Sequence, residues 1–352
     1  MALIHPHNLE LWQEWQASRH RARRLKHAVT GTLRRREESA GPTGLVLHSR
    51  EGDGDGARIL FGVDSASPTS RASLLTALPY LSSAADVLTP SGLDLPELSG
   101  PGWTHQLLAD PEHELDGRAI TSVLTLGWHL RVGRLVHDWA LARDVPAAVV
   151  QHGALTPYAP PLPPQTTLLA WSDADAQFYR SGRDDLEVRT VGSQLLWQAG
   201  READEQEPVL DERPVFLGQL HGAELSRRIT GGTAYAFCRQ ENALYRPHPS
   251  EVDVLSRTAH RLMRRRGIEF QDVAVPLHEL RSPVVGVFST GVLEAAARGL
   301  PAWVEAQHAP GWVAEFWDRY GMRRWGGSPT PAPSTPSDEP SRVIAQLLQS
   351  RS

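Results

Sequence analysis

The sequence predicts an α/β protein made of two Rossmann-like domains that face a central cleft. From residue 41 onward, short apolar runs alternate with stretches of helical periodicity, and a second series of the same kind begins at residue 215. This alternation is typical of parallel sheets covered by helices. The 352 residues suffice for two domains, each with its own core. We therefore predict one domain over 41–196 and a second over 215–325.

The first domain is predicted from apolar runs that are short enough to be strands. They lie at 44–49, 58–64, 86–90, 120–127, 147–153, 166–171 and 187–192. Helical periodicity falls between several of them, at 70–82, 128–144 and 172–182. Ser172 and Asp173 are residue types that commonly cap the start of a helix, which supports the last of these predictions.

Residues 197–214 separate the two series. This segment is acidic, polar and aperiodic, which predicts an interdomain linker. Beyond it, strands are predicted at 215–220, 243–249, 268–273, 284–289 and 301–306, and helices near 231–241, 252–266 and 291–298. Residues 326–352 begin with a run rich in proline, serine and threonine, which predicts a disordered tail before a short terminal helix.

Charge and composition exclude several classes of protein. A net charge of −5 argues against general nucleic-acid binding, which usually needs a dominant positive field. The single cysteine, Cys238, cannot form an internal disulfide, in agreement with a reducing compartment. No apolar run approaches the length that spans a bilayer, and no apolar signal core begins the chain. We therefore expect a cytoplasmic protein.

Residues 1–40 form a basic amphipathic region that is predicted to be helical. Leu9, Trp12, Trp15 and Leu25 recur at roughly helical spacing, and eight arginine and lysine residues surround them between 19 and 36. One interpretation places residues 9–36 on the anionic inner face of a membrane, with the tryptophans at its interface. The other is a solvated helix that packs Trp12 and Trp15 on the domain.

The stretch "YRPHPSE", 245–251, places a histidine at the tip of a predicted strand. Pro249 restricts His248 to extended geometry and ends the strand, so the imidazole is directed outward. Arg246 lies two residues earlier on the same face of the strand, so that a phosphate would meet two hydrogen-bond donors. The alternative is a surface turn with an incidental histidine.

A second stretch, "VVGVFSTGVLEAAARGLPAW", 284–303, reads as a buried strand, a turn at Ser289, Thr290 and Gly291, and a helix. Backbone N–H groups and hydroxyls at a helix start stabilise an anion. Glu294 lies one turn into the helix, where it could bind a ribose or base hydroxyl. The alternatives are that Ser289 or Thr290 only caps the helix and that Glu294 makes a capping interaction.

Together, the two stretches resemble the donor domain of GT-B transferases that use cytidine-activated donors. These include bacterial sialyltransferases, the Kdo transferases of capsule assembly and the glycerophosphotransferases of teichoic acid polymers. In those families the histidine of the His-Pro pair and the later Ser/Thr pair hold the phosphate of the nucleotide donor. The resemblance carries that role to His248, Ser289 and Thr290, and it covers residues 120–310.

The stretch "VVQHGALTPYAPP", 149–161, resembles the same families in the first domain. In the teichoic acid relatives a histidine at this place is thought to take the proton of the acceptor hydroxyl, which implies that role for His152. A neutral imidazole can act as a general base near pH 7. The alternative is that His152 only orients the turn. The acidic residues that relatives place before the second motif are missing, and Asp272, Glu279 and Glu251 are the nearest candidates.

The resemblance implies a metal-independent transferase with no cofactor. It would move a sugar or polyol phosphate from a nucleotide-activated donor, with cytidine (CMP or CDP) favoured, to a glycan or lipid-linked acceptor in bacterial cell-envelope or capsule polysaccharide synthesis. Neither "DGDG" at 53–56, expected to be a loop, nor "DAD" at 173–175, expected to cap a helix, stands in a setting that suggests a metal site.

Two other functions remain open. One is a UDP-sugar 2-epimerase-like enzyme, which shares the two-domain fold; such enzymes carry a His-x-Glu-Ala-Gly segment where this chain has "QHGALTP". The other is a non-catalytic GT-B-fold protein that acts as an assembly partner.

Overall fold

The computed structural model describes residues 2–18, 44–53, 57–205 and 213–350. Contacts within the chain divide it into two compact units. The N-terminal unit comprises Ala2–Gly153, Tyr158–Gln194 and the residues from Pro336 onward, and the C-terminal unit comprises Ala154–Pro157 and Leu195–Thr335.

The N-terminal unit is built on an eight-stranded sheet. Its strands are β1 (Leu45–Arg50), β2 (Arg58–Gly62), β3 (Ala84–Pro90), β4 (Trp103–Leu108), β5 (Ile120–Thr125), β6 (Ala147–Val150), β7 (Thr166–Ala170) and β8 (Glu187–Thr190). They lie in the order β4-β1-β3-β2-β5-β6-β7-β8. All neighbours are parallel except that β1 runs antiparallel to both β3 and β4.

Helices flank this sheet. They are α1 (residues 9–18), α2 (Pro68–Leu74, continued by a 3₁₀ segment over Leu75–Tyr80), α3 (Pro111–Asp116), α4 (Arg131–Leu141) and α5 (Asp173–Arg180). Successive residues of β2 belong to different buried clusters: Ile59 is in the cluster that contains Leu74, whereas Leu60 is in the cluster that contains Val136. Both faces of the strand are therefore buried, which is why it reads as a continuous apolar run.

The C-terminal unit has a smaller, entirely parallel sheet. Its strands are β9 (Val215–Leu217), β10 (Leu244–Arg246), β11 (Val284–Gly286) and β12 (Ala302–Val304), in the order β10-β9-β11-β12. Its helices are α6 (Gln194–Glu205), α7 (Arg227–Gln240), α8 (Val254–Arg265), α9 (Thr290–Ala297) and α10 (Gly311–Arg319). The prediction of two Rossmann-like α/β domains is confirmed.

Two elements differ from the sequence prediction. The proposed linker over 197–214 is helical in its first part, because α6 continues to Glu205 and buries Leu196 and Ala199; residues 206–212 lie outside the described part of the chain. The proposed strand at 268–273 is reduced to one bridge between Phe270 and Tyr245.

The segment from 326 onward also differs from the predicted disordered tail. Thr330 is buried and its N–H donates to the Ala302 carbonyl at 2.8 Å, so that this run follows the C-terminal unit. The chain then enters the N-terminal unit as α11 (Pro340–Gln349), which buries Ile344 and Leu348 among the residues of its core. Apolar residues of this last helix explain why the preceding polar run is ordered. No helix in the described residues has the length and apolar character of a membrane span.

Candidate functional site

Three loops of the C-terminal unit meet at one edge of its sheet. They are residues 218–222 after β9, 247–251 after β10 and 287–290 after β11. Because β9, β10 and β11 are parallel, all three loops leave from the carboxyl ends of the strands. Ligands of open α/β sheets bind at this edge.

The loop after β9 joins the two motifs that the sequence singled out. The side-chain oxygen of Gln219 accepts hydrogen bonds from the N–H groups of Val287 (3.1 Å) and Phe288 (3.0 Å). The next residue, Leu220, donates its N–H to Glu251 at 2.9 Å. Sequence analysis missed this loop, whose only signal is a Gly-Gln-Leu-His-Gly run directly after a buried strand.

His248 lies at the tip of β10, as predicted, and its ring is oriented by two contacts. Its Nδ1 accepts the N–H of Ser250 at 3.1 Å, so that the neutral imidazole carries its proton on Nε2. The ring stacks on His221 at 3.8 Å and 17°. Partial burial lowers the pKa of His248, an effect that the Glu251 carboxylate opposes. His248 is therefore a neutral N–H donor at pH 7.

A buried carboxylate supports the His-Pro loop. The side chain of Glu251 has no exposed surface, and its second oxygen accepts hydrogen bonds from the Tyr245 hydroxyl (2.9 Å) and from His260 (2.8 Å). A Cβ at Gly218 would lie 2.4 Å from the Tyr245 oxygen, so this approach requires glycine. Of the three acidic candidates from the sequence, Glu251 is thus a support, while Asp272 and Glu279 are exposed.

The Ser-Thr turn begins α9, and both hydroxyls have partners. Ser289 is the N-cap, and its Oγ accepts the N–H of Gly291 at 3.1 Å, so the capping interpretation holds for this residue. Thr290 Oγ1 accepts the N–H of Ala154 at 3.0 Å. The N–H of Gly291 is therefore satisfied by Ser289. Each hydroxyl retains its own proton to donate to an anion.

Arg246 makes contacts that the sequence did not predict. Its guanidinium donates to the backbone carbonyls of Asp272 (3.1 Å) and Val275 (2.7 Å). These carbonyls belong to a loop that follows the bridge at Phe270 and passes beside β10. Arg246 thus supports this loop, and its direct contact with a phosphate stays a prediction.

Glu294 lies one turn into α9 and has an unusual environment. Burial raises its pKa to about 7; Glu202 adds to this shift, and Arg298 and Arg246 oppose it. Arg298 is held by the Leu277 carbonyl at 3.1 Å and lies 3.5 Å from Glu202. A carboxyl group that titrates near pH 7 can accept or donate a hydrogen bond, as a ribose or base partner requires.

In the N-terminal unit, a rigid turn carries His152. The Gln151 amide donates to Asp175 (3.0 Å) and Gly153 (3.1 Å), and its oxygen accepts the N–H of Trp171 at 2.9 Å. The Trp171 indole N–H donates a hydrogen bond to the backbone carbonyl of Gln151 at 2.8 Å. Asp175, part of the "DAD" run, thus supports the turn, and Ser172 caps α5 as predicted.

His129 is a second imidazole beside His152 that sequence analysis did not single out. Burial lowers the pKa of His152 to about 4, and burial together with His152 lowers the pKa of His129 to about 4. Trp12 packs its edge on the His129 ring at 5.6 Å, and no described residue forms a hydrogen bond with His129 Nδ1. Both rings are therefore neutral at pH 7.

The tryptophans of α1 pack on the protein. Trp12 is buried and donates its indole N–H to the Tyr158 carbonyl at 2.8 Å, while Trp15 stacks on the Tyr158 ring at 4.7 Å. These contacts agree with the interpretation in which Trp12 and Trp15 pack on the domain, and membrane binding by residues 9–36 stays a prediction. The basic residues from 19 to 36, like residues 54–56 of "DGDG", fall outside the described part of the chain.

Comparisons with known proteins complete this description. No protein-family model matches the chain, and no curated protein matches it. Among solved structures, it is similar to UDP-GlcNAc 2-epimerase from Methanocaldococcus jannaschii, with 12% identity and a TM-score of 0.48 over 84% of this chain and 99% of that chain. It is also similar to a glycosyltransferase from Rickettsia africae ESF-5, with 11% identity and a TM-score of 0.43 over 85% of this chain and 88% of that chain.

Proposed function

We propose that the protein is a GT-B transferase that moves a sugar or polyol phosphate from a nucleotide-activated donor to a hydroxyl acceptor. One observation carries the proposal: the 218–222 loop hydrogen-bonds to both the β10 and the β11 loops. It thereby fixes the His-Pro and Ser-Thr motifs at one edge of a parallel sheet. Hydrogen-bond donors and a helix start in this arrangement would stabilise the phosphate of a nucleotide-activated substrate.

In this proposal, the C-terminal unit binds the donor. His248 donates from Nε2 to the nucleotide phosphate, and the hydroxyls of Ser289 and Thr290 donate from the start of α9. Glu294 takes a ribose or base group. Arg246 contributes by holding the 272–275 loop. The preference for cytidine rests on the resemblance of the His-Pro motif.

His152 of the N-terminal unit supplies the base. Its neutral imidazole takes the proton of the acceptor hydroxyl, and the oxygen attacks the donor's anomeric carbon or phosphorus. The bond to the nucleotide phosphate breaks, and that phosphate leaves with the bonding electron pair. His248 and the two hydroxyls stabilise the charge that develops on it. Synthesis of bacterial cell-envelope or capsule polysaccharide is the setting that the family resemblance suggests.

Calorimetric titration with CMP, CDP, UDP and GDP tests this proposal. We expect a cytidine nucleotide to bind, and His248→Ala to weaken its affinity by roughly tenfold or more, the loss of a hydrogen bond to a charged group. His113→Ala, an exposed histidine on α3, is the matched control and should leave the affinity unchanged.

The other outcomes assign other functions. Preference for UDP would favour ordinary sugar transfer or the epimerase-like alternative. Failure of every nucleotide to bind would contradict the transferase proposal and leave the assembly-partner function.

A further inference from the structure

The outward face of α8 exposes apolar side chains. Val254, Leu255 and Leu262 are 47%, 42% and 54% exposed, although they belong to a regular helix. The face of α8 that packs on the domain buries Ser256, His260 and Met263, of which only Met263 is apolar. A surface helix normally shows the reverse pattern, with its apolar stripe turned inward.

Arginines lie on the same outward face. The exposed cations of α8 and the residue after it are Arg257, Arg261, Arg265, Arg266 and Arg264, the last with its guanidinium over the Phe270 ring. None of the ion pairs between described residues involves these five, whereas Arg227 of the neighbouring α7 is paired with Asp253. The patch is therefore locally cationic in a chain whose net charge is −5.

Helical geometry places the two kinds of side chain together. At 3.6 residues per turn, one side of α8 carries Val254, Arg261, Leu262 and Arg265. We define the α8 surface as Val254, Leu255 and Leu262 together with Arg257, Arg261 and Arg265.

We infer that the α8 surface docks on an anionic lipid surface. Leucine and valine side chains enter the interface of such a surface, while arginine side chains extend to the lipid phosphates. A nucleic acid would match the positive charge and leave the apolar side chains uncovered, and the described part of the α8 surface offers no aromatic ring for base stacking. This inference does not depend on the proposed donor.

Docking would serve the proposed function in one respect. A transferase whose acceptor is linked to a lipid must work at the membrane surface. The α8 surface would hold the C-terminal unit there without a spanning helix.

Vesicle co-sedimentation of the full chain tests the inference. We expect the protein to bind vesicles of phosphatidylcholine and phosphatidylglycerol in equal amounts and to leave pure phosphatidylcholine vesicles unbound. Each arginine near an anionic surface contributes roughly fivefold, so Arg261→Glu/Arg265→Glu should lower binding by more than about tenfold. Salt at about 1 M, which shortens the Debye length to about 3 Å, should release the protein.

Two further variants separate the contributions. Leu255→Ser/Leu262→Ser keeps every charge and should lower binding severalfold, because the apolar contact is lost. Arg134→Glu/Arg228→Glu makes the same change in net charge on α4 and α7 and should bind as the wild type does. Thermal melting of each variant checks that the fold is retained.

Several results would overturn the inference. One is binding of either α8 variant to anionic vesicles as strongly as the wild type, which would favour another segment such as residues 19–36. Another is absence of wild-type binding to anionic vesicles. A third is that the wild type binds a DNA duplex but no vesicles, and that Arg261→Glu/Arg265→Glu abolishes the DNA binding. This result would assign the α8 surface to nucleic acid.

Discussion

The candidate histidines belong to two pairs of neighbouring imidazoles, one pair in each unit, and the surroundings of the two pairs differ. His221 and His248 stack at 3.8 Å in the C-terminal unit, where the Glu251 carboxylate opposes the effect of burial on the pKa of His248. In the N-terminal unit, burial alone lowers the pKa of His152 to about 4. Burial together with His152 lowers the pKa of the neighbouring His129 to about 4 as well.

The difference suggests two kinds of chemistry. An exposed imidazole whose Nδ1 is occupied by a backbone N–H offers Nε2–H to an anion. The half-buried imidazole of His152 stays neutral at pH 7, and a neutral imidazole can accept a proton. Under the proposed function, the pair in the C-terminal unit would bind the phosphate, and His152 of the other pair would act as the base.

Removing His152 should produce the largest effect. We expect His152→Ala to lower the release of nucleotide from a cytidine-activated donor by about 100-fold or more, the contribution of a general base. Affinity for the nucleotide, measured by calorimetry, should not change. Because His152 stays neutral down to about pH 4, its protonation should not reduce turnover between pH 7 and pH 5.

His113→Ala serves as the control for this prediction. Turnover of His152→Ala at the wild-type rate would show that His152 only orients its turn. It would then remove the functional contrast between the two imidazole pairs.

Removing the carboxylate beside the stacked pair of His221 and His248 should destabilise the protein. Glu251→Ala takes away the common acceptor of Leu220, Tyr245 and His260, so we expect the free energy of unfolding to fall by about 3 kcal/mol. Urea denaturation measures this change. Glu279→Ala, at an exposed carboxylate, should cost less than about 0.5 kcal/mol. Equal losses in the two variants would contradict the support role of Glu251.

Breaking the link between the two motifs should weaken donor binding by a smaller factor. Gln219→Ala leaves the N–H groups of Val287 and Phe288 without their acceptor, and we expect nucleotide affinity to fall about five- to tenfold. Gln219→Glu keeps an oxygen in that place and should restore most of the affinity. Calorimetry that finds Gln219→Ala equal to the wild type would show that the loop does not position the phosphate site.

The smallest effect concerns Glu294. Its pKa in the folded protein is about 7, above the ordinary value of 4.5, so the folded state binds more protons than the unfolded state between these values. Stability is therefore lost as pH rises through this window. A one-unit difference in pKa corresponds to about 1.4 kcal/mol, and partial exposure reduces it.

The variant Glu294→Gln, which cannot titrate, tests that assignment. Relative to the wild type, it should be more stable at pH 8 than at pH 5 by about 1 kcal/mol in urea denaturation. The same difference in stability at both pH values would show that Glu294 does not titrate in this range.

The sequence predicted those elements whose signal is local. Apolar runs such as 166–171 became strands because both faces of the sheet are covered, and Ser172 capped α5 as its residue type indicates. The strand β4 was missed, since four of its six residues, Thr104–Leu107, are exposed and do not alternate. The run before α11 was predicted to be disordered because its order depends on contacts with distant residues.

The same limit applies to the candidate site. The His-Pro and Ser-Thr motifs are short local patterns, and the structure places His248 and Ser289 in the loops that follow β10 and β11. The roles of Gln219 and Arg246 depend on hydrogen bonds to residues 68 and 29 positions away, which no local pattern encodes. His129 was overlooked because its proximity to His152 arises only in the folded unit.

A crystal structure of the protein with a bound cytidine nucleotide tests the central claim most directly. We predict that a phosphate oxygen lies within hydrogen-bond distance of His248 Nε2 and of the Ser289 or Thr290 hydroxyl. A nucleotide bound elsewhere, or one whose phosphate does not contact His248, would contradict the account.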